Sequence, residues 1–330
     1  MMDYEIFKGV MKDKILDYLP ENYKNGRVEI HEVQKVNECM DALTVFPEGE
    51  SRIAPNIYLS VMYEDYKQHE NIEKSLQDAA KVVEVAMKEN KVSNIDVDKE
   101  FTPDKVYMVL VNKEQNREML AKVPHRDFQD LAVIYRWLVD KSSDGIMSTI
   151  ITDGIAERIG MTEEQLFMHS VENTKELFPP KIQTMDEVIM EMMDMDREFA
   201  EAMGLMADRD PKETMWVLTN ERGLNGAVSM LYEENLQKIA NRVGTDMYIL
   251  PSSTHETILV SVEMGDAQSL AEMVNEINMS QVELKDRLSN NVYHYDKDLR
   301  KVTLATDSPN KRLDGMVSEP PMIYQDERSR

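Results

Sequence analysis

The chain has little cysteine, little aromatic content, few positive charges and no long apolar run. Cys39 is the only cysteine among 330 residues, so no intrachain disulfide can form. A disulfide-stapled secreted scaffold is excluded, and a reducing cytoplasm is the expected compartment. The roughly 18 consecutive apolar residues that a membrane span needs occur nowhere. The opening "MMDYEIFKGVMKDKILDYLP" lacks the basic-then-apolar order of a secretory signal and is not expected to act as one. Basic residues number 38 against 62 acidic ones, a formal net charge of -24. Such a surface repels phosphate backbones, which argues against direct nucleic-acid binding through a basic face.

Signatures of cofactor chemistry are also missing. The segment "WVLTNERGLNGAVSMLYEENL" sets Gly223 and Gly226 between two apolar runs. A phosphate loop would need a lysine and a different glycine spacing, and a dinucleotide fingerprint needs G-x-G-x-x-G at a strand-to-helix turn. Asn225-Gly226 reads instead as a tight hairpin turn, because both residues tolerate positive φ. "AVSMLY" then reads as the return strand, and Asn220, Glu221, Arg222 and Asn225 as a polar loop tip. Arg222 could grip a carboxylate or a phosphate. "PSSTHETILV" offers Ser253, His255 and Glu256. No G-x-S-x-G elbow surrounds the serine, no orienting acid is identifiable, and Leu259 stands where a zincin requires its second histidine. His125 and His294 are isolated, and the cysteine and histidines have no zinc-ligand spacing. No metal, no cofactor and no catalytic residue is therefore assigned.

What is present is a good supply of amphipathic segments. Apolar residues make up 42% and charged residues 30%, a globular balance. The 26 methionines suit irregular core gaps and adaptable surfaces alike. The first segment reads as a helix with Phe7, Val10, Met11, Ile15 and Leu19 on one face. "NIEKSLQDAAKVVEVAMKEN" is a second helix, with Ile72, Leu76, Ala79, Ala80, Val83 and Met87 aligned. "RVEIHEVQKV", "CMDALTVF" and "KVYMVLVN" are β-like. Asp144-Gly145 marks a hairpin turn. Thr162 with Gln165 and Thr184 with Glu187 each fit a capping box at a helix start. From Thr184 to about Met206 the spacing predicts the longest helix, with Val188, Met192, Met195, Phe199, Met203 and Met206 on one stripe. Its charges are nine acidic residues against Arg197 and Arg209 between 185 and 210. The stripe is expected either to pack into the chain's own core, which is the default, or to be offered to a partner. Downstream, a strand–turn–strand unit, a helix ending at Gly244, another helix and a last hairpin around Asp296-Lys297-Asp298 follow.

These readings predict an α+β fold, with antiparallel sheets built from β-hairpins and interspersed helices. The expected organisation is an N-terminal α+β region over 1–180, an acidic Met-rich connecting helix over 181–212, a C-terminal hairpin-helix region over 213–305 and a loose tail over 306–330. "DYEIFKGVMKDKILDYLPENY", "VPHRDFQDLAVIYRW", "VLTNERGLNGAVSMLY" and "DMYILPSSTHETILV" together resemble domain-of-unknown-function family 5688 over nearly the whole chain except the tail. That resemblance implies uncharacterised proteins of Gram-positive anaerobes, often encoded near mobile elements, and carries over no activity and no catalytic residue. The function expected is a non-catalytic cytoplasmic protein-interaction or accessory module with a protein partner and no membrane attachment. Candidate binding residues are Asn220, Arg222, Asn225, Ser253 and His255. Two alternatives are a hydrolase using Ser253 and His255, and an acidic nucleic-acid mimic that inhibits a nucleic-acid-binding protein.

Overall fold

A computed structural model of the chain describes residues 1–48, 56–89, 100–141, 146–196, 210–306 and 313. The chain divides into two compact units, residues 1–100 and 101–330. The first begins with helix α1 (Tyr4–Lys14), capped by Asp3, whose carboxylate accepts the Ile6 N–H at 2.9 Å. Spacing of four along Phe7, Met11 and Ile15 puts three fully buried side chains on one side. Strands β1 (Arg27–Gln34) and β2 (Cys39–Phe46) form a long antiparallel hairpin, and β3 (Asn56–Tyr58) pairs with β2. Helices α2 (Leu59–His69) and α3 (Ile72–Glu89) complete the unit. Its core joins Phe7, Met11, Leu43, Leu59, Leu76 and Val83.

Among the described residues, the second unit holds two antiparallel sheets. In the smaller, β6 (Leu131–Lys141) is central: β4 (Val106–Asn112) lies along one edge, while β5 (His125–Phe128) and β7 (Ile146–Ile150) share the other. Every residue of β4 is buried, as a continuous apolar run in a sheet covered on both faces requires. Short helices α4 (Arg117–Leu120) and α5 (Asp153–Ile159) lie in its connections, and α6 (Glu163–Leu177) packs on β4, where the Met108 N–H donates to Thr174 Oγ1 at 3.0 Å. The larger sheet has six strands in the order β13-β12-β10-β11-β9-β8: β8 is Pro180–Thr184, β9 Trp216–Asn220, β10 Met247–Leu250, β11 Thr257–Ser261, β12 Tyr293–Asp296 and β13 Lys301–Leu304. Helix α7 (Met185–Met192) follows β8, α8 (Glu233–Val243) precedes β10, and α9 (Ala267–Ser280) precedes β12. The two sheets are tied by polar contacts. Asp130, after β5, accepts from Ser289 Oγ (2.7 Å), Asn291 Nδ2 (3.0 Å) and the Tyr293 hydroxyl, and Asn112 Nδ2 donates to the Leu288 carbonyl at 3.0 Å.

The α+β class and the antiparallel pairing match the sequence reading, and both capping boxes are formed. Four expectations give way. Gly226–Leu231 is a 3-10 helix, not the return strand of a hairpin. Ala227 to Met230 are buried without a ladder because Ser229 Oγ donates to the Thr219 carbonyl and the Ala227 N–H to the Thr254 carbonyl. The unit boundary falls at residue 100 rather than at 180–212. Segment 180–184 is a strand hydrogen-bonded to β9, so α7 hangs from a sheet and does not connect two bodies. Helix α7 stops at Met192. Asp194 takes φ 48° and Met195 N–H reaches back to the Met190 carbonyl, a Schellman-type ending that closes the helix before the second half of the methionine stripe. Finally, α7 contains no buried residue, so the first part of the stripe, Val188 and Met192, does not enter the chain's own core, while Phe199, Met203 and Met206 lie outside the described residues. Residues 197–209 and the Asp144-Gly145 turn lie outside the described residues.

Candidate functional site

The edge of the six-stranded sheet carries a groove. Antiparallel register sets Lys181 of β8 opposite Thr219 of β9, and Gln183 opposite Val217, which in turn faces Ile258 of β11. Alternation along β11 brings Glu256 to the same face as Ile258. Helix α7 folds back over this face. Its Glu191 carboxylate meets Lys181 Nζ at 2.8 Å and accepts from Gln183 Nε2 at 2.6 Å. The hydrogen bond from Lys181, above all, holds Glu191 below the usual carboxylate range. Met185 and Val188 of α7 complete the apolar wall, and the cavity between helix and sheet measures about 460 Å³.

One end is lined by Asn220, Glu221, Arg222 and Gly223, the first part of the loop that runs on to Gly226. Buried Asn220 organises it: Oδ1 accepts the N–H of Arg222 (3.0 Å) and of Leu224 (3.4 Å), while Nδ2 donates to the Leu224 carbonyl (2.8 Å). Gly223 supplies φ 63° and Asn225 φ 54°. Gly226 is present for space and not for positive φ: a Cβ there would sit 2.7 Å from the Asn220 nitrogen and closer still to Thr219 Oγ1 and the His255 carbonyl. The loop presents Arg222 to the groove. Among the described residues its guanidinium has no hydrogen-bond acceptor or acidic partner, in a chain with 62 acidic residues. Glu256 is equally alone, half-buried in the groove with no hydrogen-bond donor among the described residues. Burial pushes its carboxyl above the usual range, His255 opposes the shift and Asp286 adds to it.

Asn220 and Arg222 thus line the groove, whereas Ser253, His255 and Asn225 belong to an adjoining turn. His255 does find an acid there: Nε2 lies 3.2 Å from Asp286 Oδ1. Its other nitrogen, Nδ1, accepts the Asn225 N–H at 3.2 Å. Both ring nitrogens are occupied, so neither faces a hydroxyl as a general base must. Ser253 Oγ accepts the backbone N–H of His255 at 3.0 Å, a local turn contact. Asn225, His255 and Asp286 form a brace that holds the groove's loop against the start of β11. Sequence reasoning missed Lys181, Gln183, Glu256 and Asp286. Of these only Glu256 left a trace, being one position out of phase with His255 on a strand. Among the described residues, no group of three His, Cys, Asp or Glu side chains is placed to hold a metal ion, and no helix is long and apolar enough to cross a membrane.

Fold and site define an α+β protein with two antiparallel-sheet units, the larger carrying an open groove of mixed polarity. The chain belongs to the family of unknown function DUF5688, whose profile matches residues 4–297. No curated protein and no solved structure matches it.

Proposed function

We propose that the protein is a non-catalytic cytoplasmic interaction module that receives a protein partner at the α7 groove. The observation that carries this reading is α7 itself. It buries no residue, and it leaves Met192, which lines the groove, 82% exposed. An exposed thioether in one groove with an arginine that has no acidic partner among the described residues is a costly surface for a lone chain and a useful one for a complex, since Met and Arg are both enriched at interfaces. An accessory role near mobile elements of Gram-positive anaerobes, which the sequence resemblance implies, belongs to the same proposal. The hydrolase reading gains an acid in Asp286 but loses its base, because His255 is held by Asn225. The acidic-inhibitor reading rests on net charge alone.

A photo-crosslinking residue placed at Met192 in cells should give a discrete protein adduct. The same residue at Met168, 66% exposed on α6, should give none. Met192→Asp should shift Tm by no more than about 2 °C, as surface changes do, and Arg222→Glu should abolish the adduct. Equal labelling at both positions, or ester turnover that disappears in Ser253→Ala, would overturn the proposal.

A further inference from the structure

The groove's polar groups are unbalanced in a way that specifies an occupant. Lys181 is neutralised by Glu191, and the Thr219 hydroxyl is committed to the His255 carbonyl at 2.7 Å. Gln183 spends its Nε2 on Glu191, while its Oε1 meets no donor among the described residues. Among the described residues, the floor therefore offers two acceptors without donors, Gln183 Oε1 and the Glu256 carboxylate, and the rim offers one cation without an anion, Arg222. Between them lie Met185, Val188, Val217 and Ile258.

A purely apolar ligand, such as a fatty acyl chain, would cover Glu256 and strip its water without replacing the lost hydrogen bonds. The occupant must bring N–H donors. A phosphate ester fits the anion site poorly, because Glu191, Glu221 and Glu256 share the groove with Arg222 and repel a dianion. A carboxylate carries one charge and matches the guanidinium fork. N–H groups, one terminal carboxylate and apolar side chains occur together at the end of a polypeptide. The cavity of about 460 Å³ is the size of pockets that hold small ligands, roughly 300–1,000 Å³, and so suits a chain end better than a folded surface.

We infer that the groove binds the C-terminal end of an apolar polypeptide, with the terminal carboxylate on Arg222, main-chain N–H groups on Glu256 and Gln183, and side chains against Val217 and Ile258. The inference rests on the interaction-module reading and names the part of the partner that enters.

The test is fluorescence anisotropy with the full-length chain. The probes are fluorescein-labelled hexapeptides ending in Val, Leu, Ile or Phe, each as the free acid and as the C-terminal amide. At least one free acid should bind, and its amide should bind about tenfold or more weakly, as expected when a charge-assisted pair is lost. Arg222→Gln should weaken the acid to the level of the amide, and Arg222→Lys should restore part of the preference. Glu256→Leu should weaken acid and amide together. The inference is overturned if no free acid binds, if acid and amide bind alike, or if Arg222→Gln leaves the preference in place. A persistent Met192 adduct alongside those failures would leave the interaction-module reading standing and remove only the chain-end ligand; loss of the adduct as well would remove both.

Discussion

Gly223 and Gly226 stand three residues apart and serve different needs. Gly223 has open space around it and is required by its φ of 63°. Gly226 has an ordinary φ and no space, because Thr219, Asn220 and His255 close on it. Gly226→Ala should therefore cost about 1–3 kcal/mol through overpacking, and Gly223→Ala about 1 kcal/mol through backbone strain. Denaturant melts of the two variants check the order, and a Gly223→Ala cost equal to or above that of Gly226→Ala would contradict it. Glu256 permits a second prediction. Burial raises its carboxyl above the usual range, with His255 opposing and Asp286 reinforcing. Lys181, Glu191 and Arg222 also line its groove. A raised folded-state value means that the group's contribution to stability is fully present below the ordinary carboxylate range and is lost as pH rises through the folded value. Glu256→Gln should accordingly raise Tm by roughly 1–2 °C at pH 7 and give no gain near pH 4. A thermal melt series across that window decides it, and a variant less stable than wild type at pH 7 would show that the carboxylate is supported by partners.

At the scale of elements, β8 and α7 are one device. Thr184 ends the strand and caps the helix. Its hydroxyl accepts the Glu187 N–H at 3.2 Å while Glu187 Oε2 accepts the Thr184 N–H at 2.8 Å. That reversal lays α7 back across the sheet, and Glu191 fastens it there through Lys181 and Gln183. The start of α7 was legible because a capping box is local chemistry within four residues. Its end was not, because an amphipathic period continues past Met192 while the backbone turns at Asp194. Strand β8 was missed for a related reason: Pro180 lacks an N–H, which an edge strand tolerates but which no strand-like alternation announces in the sequence. The same edge position leaves the outer side of β8 unpaired among the described residues.

At the scale of the molecule, every described strand pairs within its own unit. The sheet β1-β2-β3 closes inside residues 1–100 and the other two sheets inside 101–330. The first unit also has a core of its own, built around Phe7, Met11, Leu43 and Leu76. A fragment of residues 101–330 should therefore fold alone, with a cooperative thermal transition and a far-ultraviolet spectrum of mixed α and β content. A fragment that melts without cooperativity would show that the second unit depends on the first.

By itself the sequence determined what short-range patterns can carry: the α+β class, the amphipathic faces of α1 and α3, the capping boxes at Thr162 and Thr184, the left-handed stop at Gly244, and the large acidic excess. Each depends on periodicity, on backbone preference, or on composition. Tertiary structure decided the rest. The run Ala227 to Met230 became a buried 3-10 turn because the carbonyls of Thr219 and, from further along the chain, Thr254 took its polar groups. His255 Nδ1 was taken up by the Asn225 N–H, thirty positions away in the chain. Arg222 and Glu256 came to share a groove only through the β8-β9-β11 register. A strand's alternation tells which residues share a face, but its neighbours are chosen by long-range pairing, and it is the neighbours that make a site.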